Sequence, residues 1–235
     1  MRIIFNLIIL AVFGLCAPAN AKNDVTIAVI DTGVSRTSFY ENITNYDARD
    51  ANNIHVAIEG DKASRIASDH GNWITSIIAQ ESPGSRILSY RVDEGCPHPN
   101  DCNMRTLNIY KSALHAVENG ADIIVIASAG NMGEYGENKF AEIAAKGIHI
   151  VFAAGNGGKK SPMIRLASLN AQFIHVVGSI TGYGKKSKFS SHDDGTGLFR
   201  WIEGEKVKVY GAKDKIEYVS GTSYSAAIYA AKLVN

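Results

Sequence analysis

Ile123-Ile124-Val125-Ile126-Ala127 carries no polar residue and is β-branched at its first four positions. Gly120 stands behind it and Ser128-Ala129-Gly130 follows it. A half-buried strand would alternate polar and apolar residues, whereas this run gives both of its faces to a core. Strands of that kind belong to parallel sheets covered by helices on each side. Moving outward, residues 25–30, 86–92, 148–154 and 173–178 repeat the character. Helical patterns lie between them. One opens near Asp69 and puts Trp73, Ile74, Ile77 and Ile78 on one face; another runs over about 104–119 before Gly120, and a third over 138–146 before Gly147. The alternation predicts an α/β fold, a doubly wound and mostly parallel sheet with helices on both faces. Sites in such sheets lie at the carboxyl ends of the strands. Asp31, Ser128 and Asn156 all fall there.

After Gly178 the pattern weakens. Residues 207–210 and 216–219 read as a hairpin across Gly211-Ala212-Lys213-Asp214. The final helix, 223–234, is apolar almost all round, which predicts a place inside the domain or under a partner chain that completes the C-terminal core.

The chain has 235 residues, 46% hydrophobic and 20% charged, enough for one globular domain with a large core. Its first residues read as a signal peptide. Arg2 is the charged start, 3–15 is apolar apart from Asn6, and Pro18-Ala19-Asn20-Ala21 is a small-residue cleavage site. The run is too short for a membrane anchor, which needs roughly 20 residues. Leu15 before Cys16 is too large for a lipidation site. The expected division is a signal peptide over 1–21 and a catalytic domain over 22–235, exported to a secreted or periplasmic destination. Losing Arg2 with that segment brings the 24 Lys and Arg down to match the 23 Asp and Glu. A neutral mature chain argues against nucleic acid, or a membrane after signal removal, as the main partner. Cys96 and Cys102 then remain, and an oxidising compartment favours a disulfide between them. A metal site using His98 would lack a fourth ligand, so no metal is expected.

Three segments carry chemistry. Val29-Ile30-Asp31-Thr32-Gly33-Val34 ends a strand, Asp69-His70-Gly71-Asn72 opens a helix, and Gly221-Thr222-Ser223-Tyr224-Ser225-Ala226 opens the last one. Singly they are ordinary, since an aspartate caps turns and a histidine bonds backbone. Together they supply what acyl transfer needs. Ser223 would be the nucleophile, His70 the base that takes its proton, and Asp31 the group that orients the imidazole. Asn156, in Ala153-Ala154-Gly155-Asn156-Gly157, could donate its amide to the developing oxyanion beside the N–H of Ser223. A simple turn is the other reading of Asn156.

Asp31, His70 and Ser223 come in the chain order of subtilisin, and the sequence resembles the subtilisin-like serine protease (subtilase) family in a short form without a pro-domain. The resemblance covers nearly all of 24–235, through Asp31-Thr32-Gly33, His70-Gly71, Ala154-Gly155-Asn156, Gly221-Thr222-Ser223 and Ile124-Val125-Ile126-Ala127-Ser128-Ala129-Gly130. It implies a seven-stranded parallel sheet and a serine endopeptidase that works without a cofactor on peptide or protein substrates. Ser128, Ala129 and Gly130 would pair with substrate backbone by strand addition, and Ala154 and Gly155 would complete the substrate-binding set. The departures are Asn72-Trp73 where the family has Thr-His, Tyr224 for Met, and Ala227 for Pro. With only Lys22, Asn23 and Asp24 ahead of the first strand, the mature chain is expected to start near Lys22 without a pro-domain. A non-catalytic subtilase-fold module that binds peptides or a partner is the alternative, and an esterase would share the mechanism.

Overall fold

The computed structural model describes residues 25–35, 42–56, 68–97 and 102–234. The signal segment and His98 lie outside them. Along the chain run β1 (Thr26–Asp31), β2 (Ile43–Asp47), β3 (His55–Val56), α1 (His70–Glu81), β4 (Arg86–Arg91), α2 (Thr106–Glu118), β5 (Ile123–Ile126) and α3 (Gly133–Ala144). Then follow β6 (His149–Ala153), α4 (Ile164–Leu169), β7 (Ile174–Ile180), β8 (Arg200–Glu203), β9 (Val207–Tyr210), β10 (Ile216–Val219) and α5 (Thr222–Lys232).

The main sheet has the order β3-β2-β4-β1-β5-β6-β7-β8. Every pairing from β2 to β8 is parallel, which gives seven parallel strands, and β3 alone is antiparallel at the edge. The expected doubly wound fold is therefore what the chain adopts. The alternation of β1 divides two cores. Ala28 and Ile30 face a layer with Ile109, Ala113, Phe140, Ile143 and Leu166 from α2, α3 and α4. Ile27 and Val29 face Trp73, Ile74, Ile77 and Ile78 of α1 and Ala226, Ala227 and Ala230 of α5. The apolar last helix is thus covered over these alanines by α1 and the sheet of its own chain.

Some elements had no apolar signal to announce them. β2 reads ITNYD, β8 is an edge strand reading RWIE, and α4 is one short segment. α3 begins at Gly133, ahead of the expected 138, because its first turns hold Gly133, Gly136 and polar residues. The 207–219 hairpin forms as a separate two-stranded antiparallel sheet, β9 with β10.

Candidate active site

Asp31 is the last residue of β1 and His70 the first of α1. A close approach of two backbones brings them together. A Cβ at Gly71 would lie 2.2 Å from the carbonyl oxygen of Gly33, so only glycine lets α1 start there. Thr32 locks the junction, donating its hydroxyl to the Ser68 carbonyl (3.1 Å) and accepting from the Gly71 N–H (2.9 Å). Asn72 adds a second tie, accepting from the Ser35 N–H at 2.9 Å and donating to Asp69 at 2.8 Å.

The result is a close pair. His70 Nδ1 lies 2.8 Å from Asp31 Oδ1 and 3.0 Å from Oδ2. Asp31 is 1% exposed, and it also accepts from the Thr32 N–H at 2.7 Å. Burial pushes the His70 imidazole down, but the charge of Asp31 and its hydrogen bond outweigh that and raise it above the ordinary 6.5. Nδ1 bonded to a carboxylate carries the proton, which leaves Nε2 as the basic nitrogen.

Ser223 sits in the first turn of α5, whose backbone N–H groups have no intrahelical acceptor. It shares a cleft of about 300 Å³ with His70, Cys102, Met104, Ala127, Ser128, Ala129, Ala153, Gly155, Asn156 and Thr222. Its Oγ donates to the Ala127 carbonyl at 2.7 Å. Asn156 is held by its oxygen. Oδ1 accepts from the Thr222 N–H (2.9 Å) and the Thr222 hydroxyl (3.0 Å), so the amide NH₂ points the other way. The Thr222 hydroxyl also accepts from the Gly155 N–H at 3.1 Å, joining the segment after β6 to the start of α5.

Of the expected substrate-binding residues, Ser128, Ala129 and Gly155 line the cleft. Ala154 is fully buried beneath it, its carbonyl accepting from Ser161 Oγ at 2.6 Å. Gly130 is half-buried just outside, with its N–H toward Met163 Sδ. Thr32, Thr222 and the Ala127 carbonyl were not singled out by sequence reasoning, although both threonines stand inside the quoted motifs. Cys96 and Cys102 are joined, with Cα atoms 4.0 Å apart. Their loop closes a short antiparallel ribbon, in which Glu94 N–H donates to Asn103 O and Asn103 N–H to Gly95 O. That ribbon brings Cys102 and Met104 to the cleft. Among the described residues there is no group of three or more His, Cys, Asp or Glu able to hold a metal ion. Nor is any described helix long and apolar enough to cross a membrane.

No curated protein matches the sequence. Solved structures similar to it include a mutant of the protease domain of PatA, at 19% identity and a TM-score of 0.70, covering 92% of this chain and 80% of that one. A cold adapted subtilisin-like serine proteinase is 20% identical with a TM-score of 0.73, covering 92% and 76%. The PatG macrocyclase in complex with peptide is 18% identical with a TM-score of 0.68, covering 89% and 74%. At these identities the likeness is one of fold. The sequence model of the subtilase family matches residues 22–234, nine-tenths of the chain, and the protein therefore belongs to the subtilase family.

Proposed function

We propose that this chain is a serine endopeptidase that cleaves peptide bonds through an acyl-enzyme, with Asp31, His70 and Ser223 as its catalytic residues. The observation that carries the reading is the contact of His70 Nδ1 with Asp31 at 2.8 Å, beside Ser223 in one cleft. Ser223 Oγ attacks the scissile carbonyl carbon as His70 Nε2 takes the hydroxyl proton. The carbonyl oxygen becomes an oxyanion, facing the Asn156 amide and the backbone N–H of Ser223. The C–N bond then breaks, His70 returns its proton to the leaving amine, and a water molecule repeats the sequence on the ester. Asp31 stays ionised and holds the imidazolium. Ser128, Ala129 and Gly155 flank the acyl side, where an extended peptide can add as a strand. An apolar start followed by Pro18-Ala19-Asn20-Ala21 supports export, which N-terminal sequencing of the mature protein checks.

A second reading, a peptide-binding module without turnover, is favoured by one observation. The Ser223 hydroxyl is engaged by Ala127 and makes no bond to His70. A fluorophosphonate probe separates the two readings, because only an activated serine reacts. Labelling that disappears in Ser223→Ala supports the enzyme; an unlabelled, folded wild-type chain refutes it.

A further inference from the structure

Two residues at which the chain departs from its family's pattern, Trp73 and Tyr224, lie against each other and against His70. The ring centroids form a near-equilateral triangle: His70 to Tyr224 is 5.9 Å, His70 to Trp73 is 6.4 Å, and Trp73 to Tyr224 is 6.4 Å. Tyr224 is 3% and Trp73 8% exposed, whereas the His70 they pack against lines the open cleft. The triangle is anchored from outside. Trp73 Nε1 donates to Glu217 Oε2 on β10 at 2.9 Å, and Lys215 pairs with the other oxygen of that carboxylate at 2.6 Å. The hairpin that carries Glu217 is itself tied to α1. Tyr210 N–H donates to Ser76 Oγ at 3.0 Å and Ala212 N–H to Asp69 Oδ1 at 2.9 Å. Gly211 passes so close to the indole that a Cβ there would sit 3.2 Å from Trp73 Nε1.

We propose that Tyr224 and Trp73 are positioning residues for His70, and that the β9–β10 hairpin, through Glu217, fixes where they stand. The inference rests on His70 acting as the general base. A shuttling imidazole must keep Nδ1 on Asp31 while Nε2 gains and loses a proton. Two rings packed against it remove the freedom to swing away and keep water off its face.

The same packing sets the protonation of His70. Several elements face His70. Asp31 comes from β1, Ser223 and Tyr224 from α5, Trp73 from its own helix and Asp69 from the position just before that helix. Glu217 and Lys215 stand behind Trp73, and Cys102 and Met104 line the cleft without charge. Asp31 stabilises the imidazolium and burial opposes it. Opening the aromatic wall weakens the opposing effect and leaves Asp31 in place, so the imidazole should become easier to protonate.

The test is a proton NMR titration of the His70 ring signals in the full chain, read beside the rate of fluorophosphonate inactivation. Tyr224→Ala should raise the His70 midpoint by roughly half a unit or more and slow inactivation at high pH roughly 10–100-fold. Tyr224→Met, which refills the space, should return the midpoint toward wild type. Trp73→Phe and Glu217→Ala should shift it in the same direction as Tyr224→Ala, non-additively when combined; Glu217→Gln, which keeps an acceptor, should not. Should Tyr224→Ala fail to fold, Trp73→Phe and Glu217→Ala decide the matter by the same titration. A His70 midpoint unchanged in all folded variants overturns the proposal. Wild-type protein inert to the probe would refute the peptidase reading, while the titration would still decide this one.

Discussion

The Ser223 hydroxyl donates its proton to the carbonyl of Ala127, 2.7 Å away. Ala127 directly follows β5 and precedes Ser128, so the proposed nucleophile rests on the strand end beside which a substrate would lie. In the proposed reaction the hydroxyl must leave that carbonyl and turn to His70 Nε2. One net hydrogen bond, about 1 kcal/mol, is exchanged for another, so the rotation costs little. Asp31 and His70 are already in contact and wait only for the serine.

The protonation of His70 sets an acid limit on that chemistry. Asp31 holds the imidazole above 6.5, and the base must be neutral to act. Reactivity should therefore rise with pH through a midpoint above 6.5 and then level off. Asp31→Asn removes the charge, leaving burial to act alone, so the midpoint should fall and the plateau drop roughly 10⁴-fold. Stability follows the opposite sign. A histidine raised in the fold adds stability that is full below 6.5 and is lost as pH climbs through the folded midpoint. A reactivity profile with its midpoint below 6.5 in the wild type would show that Asp31 does not dominate.

Asn156 makes a separate prediction. With its Oδ1 held by both donors of Thr222, the free NH₂ is pre-aimed and needs no reorganisation during the reaction. Asn156→Ala should lower turnover by about 10²–10³-fold, the usual loss for one oxyanion donor, with little change in KM. Thr222→Val deletes the hydroxyl that joins Gly155 to Asn156 and should cost less, roughly tenfold. Steady-state kinetics on one peptide would compare them; equal turnover in wild type and Asn156→Ala would reduce Asn156 to a turn residue.

The sheet was legible because a strand buried on both faces cannot alternate. β1, β4, β5, β6 and β7 announce themselves by mostly apolar, β-branched runs, which Ser89 interrupts in β4 and His175 and Ser179 in β7. β2 and β8 carry polar side chains at the margins, where pairing follows from neighbours and leaves no periodic trace. The site was legible as residue types, since aspartate, histidine and serine each stood at the edge of an element. Its supports were not. Thr32 and Thr222 work through hydroxyls whose partners are Ser68, Gly71, Gly155 and Asn156, far away in sequence. The triangle of His70, Trp73 and Tyr224 was visible only as departures from a pattern. Which departures touch is decided by the packing of α1 on α5.

The disulfide should matter more for shape than for global stability. Five residues separate Cys96 from Cys102, and closing so short a loop stabilises by only about 2 kcal/mol. The ribbon it closes is also held by backbone bonds between Glu94, Gly95 and Asn103 and by the ion pair of Arg105 with Glu94. Replacing both cysteines by serine should lower urea stability by about that amount and raise KM, because Cys102 and Met104 wall the cleft. Mass spectrometry of the native protein should find no free thiol at either position. Two free thiols would contradict the bridge.

A histidine pair at the other end of the sheet, His175 buried and His149 half-buried, predicts an acid weakness. His149 Nδ1 and His175 Nε2 are 3.0 Å apart, and His175 Nδ1 lies 3.3 Å from the hydroxyl of Tyr229 on α5. Two neutral rings share one proton between those facing nitrogens; a second proton would set two donors against each other. Burial, the neighbouring His149 and the charge of Arg200 depress His175 to about 4, and burial lowers His149 as well. The unfolded chain, with histidines near 6.5, thus binds more protons than the folded one once the pH falls below that value. Stability from this pair is present above about 6.5 and lost progressively as the pH drops toward 4. Because Tyr229 sits on α5, whose first turn carries Ser223, loosening there should reach the site before global unfolding. Melting temperatures followed from about pH 7 to about pH 5 should fall more steeply in the wild type than in His175→Gln, whose amide can replace the hydrogen bonds but takes no proton. Parallel slopes in the two proteins would mean that other groups govern the acid transition.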